Sequence, residues 1–201
     1  MNSIGIIILS AGASSRMGRA KQTLSINGHP LLLHVVDHAL SSSANEVVVV
    51  LGSSADTHLA LLETYPVHTV VNDRWEDGIG SSIKSGLKTL LRAAPYTDAV
   101  LFMVSDQPLI THEYIGRIVD AYAKTKAPIV ASSYNGTVGV PALFARSEFD
   151  NILSIEDNQG AKLLITQNMS RVLITECPDA ALDLDTPEDY ENFKRIYVNA
   201  Q

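Results

Sequence analysis

The sequence predicts an α/β fold: a mostly parallel sheet with helices on both faces. Three observations carry that expectation. Short β-branched apolar runs alternate with helical patterns along most of the chain, the arrangement of successive βαβ units. The strongest runs, residues 4–9 and 99–104, are continuously apolar rather than alternating, as strands buried on both faces of a parallel sheet must be. Between residues 128–134 and 138–144, Asn135-Gly136 is a tight-turn signal that joins two strands as an antiparallel hairpin. The expected architecture is a three-layer α/β/α Rossmann-like sandwich, mostly parallel, with one antiparallel hairpin element.

Each element follows from local chemistry. After the first strand and a glycine-containing loop, Asn27-Gly28 turns the chain into a helix over 30–40, with Pro30 at its first position and Ser41 to Ser43 as its exit. A strand is expected at 46–51, a helix at 57–65, a strand at 67–71 and a helix at 81–94. The strand at 99–104 ends on Ser105-Asp106-Gln107-Pro108, and Thr111 caps a helix running through residue 124. Beyond the hairpin, short helices are expected near 146–153 and 160–168, then a strand at 171–175. Thr186-Pro187-Glu188-Asp189 is a cap with proline in the first turn, opening a helix to about residue 198.

Composition narrows the partners. The 201 residues are 46% hydrophobic and 18% charged, so the chain folds around a sizeable core, and residues 1–201 are expected to form a single domain. A net charge of −7 argues against a nucleic-acid surface, and no apolar stretch approaches a membrane span. The lone Cys177 forms no intrachain disulfide. With no recognisable signal peptide, the expected location is cytoplasmic. Positive charge gathers locally at Arg16, Arg19 and Lys21, which suits a small polyanion such as a nucleoside triphosphate.

Those cations belong to Leu9-Ser-Ala-Gly-Ala-Ser-Ser-Arg-Met-Gly-Arg-Ala-Lys21, at the carboxyl end of the first strand, where backbone N–H groups can wrap a polyphosphate. Gly12 and Gly18 give the turn its freedom, while Ser14, Ser15, Arg16 and Lys21 supply hydroxyls and charge. The P-loop spacing fails, because five residues separate Gly12 from Gly18 and Arg19 follows. The dinucleotide G-x-G-x-x-G fails as well. Ala11-Gly-Ala-Ser-Ser-Arg-Met-Gly-Arg-Ala-Lys21 instead fits A-G-x-S-x-R-M-G-x-x-K, and so resembles the opening of the nucleotidyltransferases that attach a nucleotide to molybdopterin, within the wider sugar-nucleotide pyrophosphorylase group.

The resemblance covers nearly the whole chain and implies roles for further residues. Ser10, Ala11, Gly12, Ala13, Ser14 and Gly18 would hold the nucleotide, with Arg16 and Lys21 as catalytic cations. Ser105-Asp106-Gln107-Pro108 resembles the family's metal-binding Asp-x-Pro element, so Asp106 is a catalytic and metal-ligating candidate; a turn aspartate before proline is the plainer use. Asp183-Leu-Asp-Thr-Pro-Glu-Asp189 resembles the family's D-x-D-T-P-E-D, and alternation puts Asp183 and Asp185 on one side of an extended segment. One or both would complete a Mg²⁺ site, with Asp185 slightly favoured. Ser82-Ile-Lys-Ser-Gly-Leu87 matches the S-[VI]-x-x-G-L segment that contacts the base in cytidylyltransferases, adding Asn72, Ser81 and Ser82 to the nucleotide set. Gly139-Val-Pro141 with Phe144 resembles the acceptor-pocket G-x-P-x-x-F. Residues 157–162 parallel G-D-x-G-A-R but substitute Asp157-Asn158 for Gly-Asp and Lys162 for Arg, so the acceptor contact there differs. Gly139, Pro141 and Lys162 are the acceptor-binding candidates. His34 and His38 share a helix face but lack an evident third ligand.

The implied reaction is transfer of a nucleotidyl group to a phosphomonoester acceptor, molybdopterin by resemblance, with release of pyrophosphate. The loop resembles the cytidylyl-transferring members, with Ser10-Ala11 where guanylyl-transferring ones carry Gly-Gly, so CTP is expected over GTP. A sugar-1-phosphate nucleotidyltransferase would use the same loop and cation, and a non-catalytic nucleotide-binding module would bind without releasing pyrophosphate.

Overall fold

The computed structural model describes residues 3–198. β1 (Ile4–Ser10) leads into the glycine loop, after which β2 (Ser25–Ile26) and β3 (His29–Pro30) form a small separate ladder. α1 (Leu31–Leu40), β4 (Glu46–Leu51), α2 (Ala55–Leu62) and β5 (His68–Val71) follow, then α3 (Ile79–Ala93), β6 (Ala99–Val104) and α4 (His112–Thr125). The last third supplies β7 (Ile129–Tyr134), β8 (Thr137–Ala145), α5 (Phe149–Ser154), α6 (Ala161–Gln167), β9 (Val172–Glu176) and α7 (Pro187–Phe193).

Seven of the strands make one sheet in the order β5-β4-β1-β6-β8-β7-β9. β8 pairs antiparallel with both neighbours and every other pairing is parallel, so β8 alone runs against the rest. β1 and β6 are continuously apolar because both their faces are covered. Ile6 and Ile8 enter one core with Leu31, Val35, Ile115 and Ile118, while Ile7 and Leu9 enter the other with Leu87, Leu90, Ile152 and Ile165. These residues are less than a tenth exposed, and full burial of such a side chain is worth about 1.5–3 kcal/mol. Helices on both faces thus give the expected three-layer sandwich. No helix among the described residues is long and apolar enough to cross a membrane.

Most boundaries fall within two residues of expectation, and the exceptions have local causes. Pro30 precedes α1 rather than opening it, because β3 pairs it with Ser25. The helix expected at 57–65 begins earlier, after Ser54 in a left-handed conformation, and ends at Leu62. The last helix is regular only to Phe193 and widens into a π turn over Lys194–Val198. Its capping box is closed by Asp189, whose carboxylate accepts from the Thr186 amide at 2.8 Å while Thr186 Oγ1 accepts from the Asp189 amide. Asn135 and Gly136 both have positive φ, as the tight hairpin requires.

α3 lies against the sheet through Gly86. A Cβ there would stand 2.6 Å from Ile7 Cγ2 and 2.8 Å from Val50 Cγ2, on two side chains locked in a packed layer. Helix propensity favours alanine over glycine by about 1 kcal/mol, but overpacking costs about 1–3 kcal/mol, so sterics decide the sign. Gly86→Ala is expected to lower the urea midpoint without changing the slope of unfolding. An unchanged or raised midpoint would show that α3 yields without cost.

Candidate active site

The parallel strands deliver their carboxyl ends to one edge of the sheet, and the candidate residues collect there. Ser10 closes β1, and the loop after it folds over Met17, which is buried in the core. Ser14 and Gly18 both adopt positive φ, at 53° and 72°. Gly12 does not, and a Cβ on it would meet nothing within 4 Å, so its neighbourhood is open space above the strand end. The loop holds itself through Ser14, whose Oγ accepts from the Lys21 amide at 3.2 Å and whose carbonyl accepts from the Met17 amide at 3.0 Å. Ala13 is exposed on its rim.

Asp106 lies one residue beyond Ser105, whose amide donates to Leu9 O and seats the turn beside β1. Leu184 N–H donates to Asp106 O at 2.9 Å, so the segment with Asp183 and Asp185 is laced to the same turn despite its distance in sequence. Lys21 Nζ then stands between two carboxylates, 2.5 Å from Asp106 Oδ2 and 3.1 Å from Asp185 Oδ1, while Arg16 reaches Asp185 Oδ2 at 2.8 Å. Burial alone would lower the Lys21 pKa, but Asp106 and then Asp185 outweigh it and raise the value, so the ammonium stays charged through the neutral range. The Lys21 side chain is 13% exposed and that of Arg16 69%, which makes Lys21 the fixed cation and Arg16 the one free to swing. Asp183 is not part of this pairing. It faces Gln107 and the carboxylates, and desolvation followed by the Asp106 charge pushes its pKa up.

Beside these charges is a cavity of about 210 Å³, lined by Ser10, Ala11 and Gly12 from the β1 end, Lys21, Gln22, Trp75, Ile79, Ser82, Ser105 and Asp106. Ser10 Oγ is buried in it with no hydrogen-bond partner. Of the second proposed nucleotide element, only Ser82 reaches the cavity. Asn72 and Ser81 sit behind it: Asn72 Nδ2 donates to Ser81 Oγ at 2.8 Å and Ser82 Oγ at 3.0 Å, and Ser81 Oγ turns to the carbonyls of Arg74 and Gly78. Their place is as a brace for Ser82.

The acceptor candidates do not line that cavity. Because Phe102 of β6 pairs with Ala142 of antiparallel β8, the beginning of β8 lies past the end of β6 that carries Asp106. Gly139 is there, under Tyr134, whose hydroxyl would be 2.5 Å from a Cβ on that glycine. Pro141 is buried beyond it, its carbonyl accepting from Ser132. Lys162 is exposed in the first turn of α6. The His34 and His38 rings meet edge to face, with centroids 4.8 Å apart, while His34 Nε2 contacts Pro108 O and His38 stacks on His112. Among the described residues no three histidine, cysteine or acidic side chains converge as a ready metal cage.

Gln22 and Ser105 were not anticipated as cavity residues. Gln22 is 1% exposed, its amide close to Ser10 O and to Ser14 Oγ. A buried glutamine is uncommon enough to be a signal, but only burial reveals it.

Residues 6–172 match the family described as the MobA-like NTP transferase domain. The chain belongs to that family. It is therefore a nucleotidyltransferase of the MobA-like kind, and its full-length relatives carry varied names. It is 28% identical over 203 residues to the purine catabolism protein PucB of Bacillus subtilis, covering 94% of this chain and 95% of that one. Nicotine blue oxidoreductase of Paenarthrobacter nicotinovorans is 27% identical, covering 95% and 93%. The molybdenum cofactor guanylyltransferase of Vibrio cholerae is 24% identical, covering 95% and 91%. Among solved structures, a homologue of Rv0371c from a Mycobacterium strain superposes over the full length of both chains, with a TM-score of 0.85 and 28% identity. The edge of the MobA-like sheet is thus where nucleotide chemistry is to be sought.

If Lys21 neutralises the transferring phosphate, Lys21→Ala lowers turnover by at least ~10²-fold while the circular dichroism spectrum of the folded protein stays near the parent's. Arg16→Ala mainly raises the KM for nucleotide. Undiminished turnover in both variants would remove the loop from the chemistry.

Proposed function

We propose that the protein transfers CMP from CTP to a phosphomonoester acceptor, with molybdopterin the candidate, and releases pyrophosphate. The observation that carries this reading is Lys21 held between Asp106 and Asp185 at the mouth of the glycine loop. Two carboxylates and a fixed ammonium on one sheet edge make a charge-matched seat for a triphosphate and its cation. A passive binding module has no need of the two acids.

The residues fit Mg²⁺. Asp106 Oδ1 is buried with no hydrogen-bond partner, and hard oxygen ligands from one or two carboxylates plus phosphates are what the ion takes. Asp106 and Asp185 would hold it, and it would supply charge neutralisation and orientation of the phosphates. Lys21, held at the mouth of the loop, presents its ammonium to the oxygens of the α-phosphate. Arg16 follows the β- and γ-phosphates. A phosphate oxygen of the acceptor attacks the α-phosphorus in line; the new P–O bond forms as the bond to pyrophosphate breaks, and no covalent enzyme intermediate is required. The chain contributes position and charge.

The base preference rests on Ser10 and Ala11. Their side chains narrow the cavity where a glycine pair would widen it, and Ser10 Oγ offers an unused hydrogen-bonding group to a base edge. A pyrimidine suits that space better than a purine. The acceptor side is set by Gly139, Pro141 and Tyr134, whose phenol is held protonated by burial and by the charge of Asp183. Lys162, on the rim, meets a phosphate as a point charge rather than a fork.

With molybdopterin as acceptor, kcat/KM for CTP is expected to exceed that for GTP, and the reverse order would overturn the base assignment. Asp106→Asn and Asp185→Asn each lower turnover far more than stability, and the double variant costs less than the sum because both act through one ion. Transfer at the parent rate by the double variant, or in excess EDTA, would sink the two-carboxylate metal site.

A further inference from the structure

The loop before α6 departs from the family pattern at residue 157, where aspartate stands in the position the pattern gives to glycine. That aspartate is the hub of a latch. Its carboxylate lies 2.6 Å from Lys84 Nζ and 2.6 Å from an Arg74 guanidinium nitrogen, and hydrogen bonding from Lys84 holds it below the usual carboxylate range. Its backbone carbonyl accepts from the Gly80 amide at 2.8 Å, and Lys84 Nζ also donates to Ile155 O at 2.8 Å.

Arg74, Gly80 and Lys84 all belong to the entrance of α3, which puts Ile79 and Ser82 into the nucleotide cavity. The two backbones touch there. A Cβ on Gly78 would be 2.5 Å from Asp157 O, and one on Gly80 would run into Glu156 O and Gln159 O. Ile79 closes the other side, its Cγ2 in van der Waals range of the position a Gly160 Cβ would take. A single residue, Ile79, therefore lines the cavity and also stands beside Gly160, the last residue before α6.

We propose that Asp157 is a positioning residue that fixes the segment Gly160-Ala161-Lys162 to the base wall, so that filling the nucleotide cavity orders the acceptor element. The inference rests on the nucleotidyl-transfer reading of the cavity. Lys84 and Arg74 belong to the segment that carries Ile79 and Ser82, and Asp157 to the segment that carries Lys162, so the ion pairs tie those two segments together behind the cavity rather than stabilising either alone. Coupling of this kind is reciprocal, so each substrate raises the affinity for the other by the same factor.

The test compares the parent with Asp157→Asn and Asp157→Glu by two measurements. In steady-state pyrophosphate release with saturating CTP, Mg²⁺ and molybdopterin, Asp157→Asn raises the acceptor KM about tenfold, the Kd for CTP measured without acceptor stays within about twofold of the parent, and Asp157→Glu restores most of the loss. Amide hydrogen exchange is followed on addition of CTP and Mg²⁺ alone. Exchange at residues 160–167 slows in the parent and in Asp157→Glu but not in Asp157→Asn, although all three bind CTP. Equal slowing in Asp157→Asn, or a fall in kcat with both KM values unchanged, overturns the proposal. Slowing of the parent's exchange without pyrophosphate release would refute molybdopterin as acceptor while supporting the latch.

Discussion

The placement of Lys21 between Asp106 and Asp185 governs the site's organisation. One positive charge set between two negative ones allows three separately encoded segments to meet without leaving a carboxylate alone in a partly buried place. Removing the lysine would leave Asp106 and Asp185 facing one another with only Arg16 to compensate.

Around that centre, rigidity comes from close packing rather than from charge. α3 is pressed onto β1 and β4 at Gly86, and the 156–159 loop is pressed onto α3 at Gly78 and Gly80. Between them these contacts set the depth of Ser82 and Ile79 in the cavity. Asn72 makes the same point with hydrogen bonds, bridging two serines so that only one of them faces the ligand space.

Much of this was legible in the sequence. The continuous apolar runs located β1 and β6, and the spacing of Arg16 and Lys21 marked the loop before any fold was known. Asp106 and Asp185 stood out as a carboxylate at a strand end and as part of a D-x-D-T-P-E-D segment, and the fold brings both onto Lys21. What sequence did not disclose depended on neighbours far along the chain. Ser81 looked like a base contact until its hydroxyl was seen turned inward, and Gln22 looked like a loop residue until it was seen buried. Which of Asp183 and Asp185 meets Lys21 depends on the register that Leu184 sets against Asp106, which no local pattern encodes. Asp157 read as a mere departure from pattern, since its partners precede it by more than seventy residues.

The reversal of β8 has an architectural consequence. Every other strand brings its last residues to the working edge, but β8 brings its first, immediately after a two-residue turn. The tip of that hairpin therefore reaches the edge as a turn of two residues, Asn135 and Gly136, where β1, β4 and β6 reach it through crossover loops that lead into helices. Such a tip tolerates exchange of sequence and length with little disturbance to the sheet behind it.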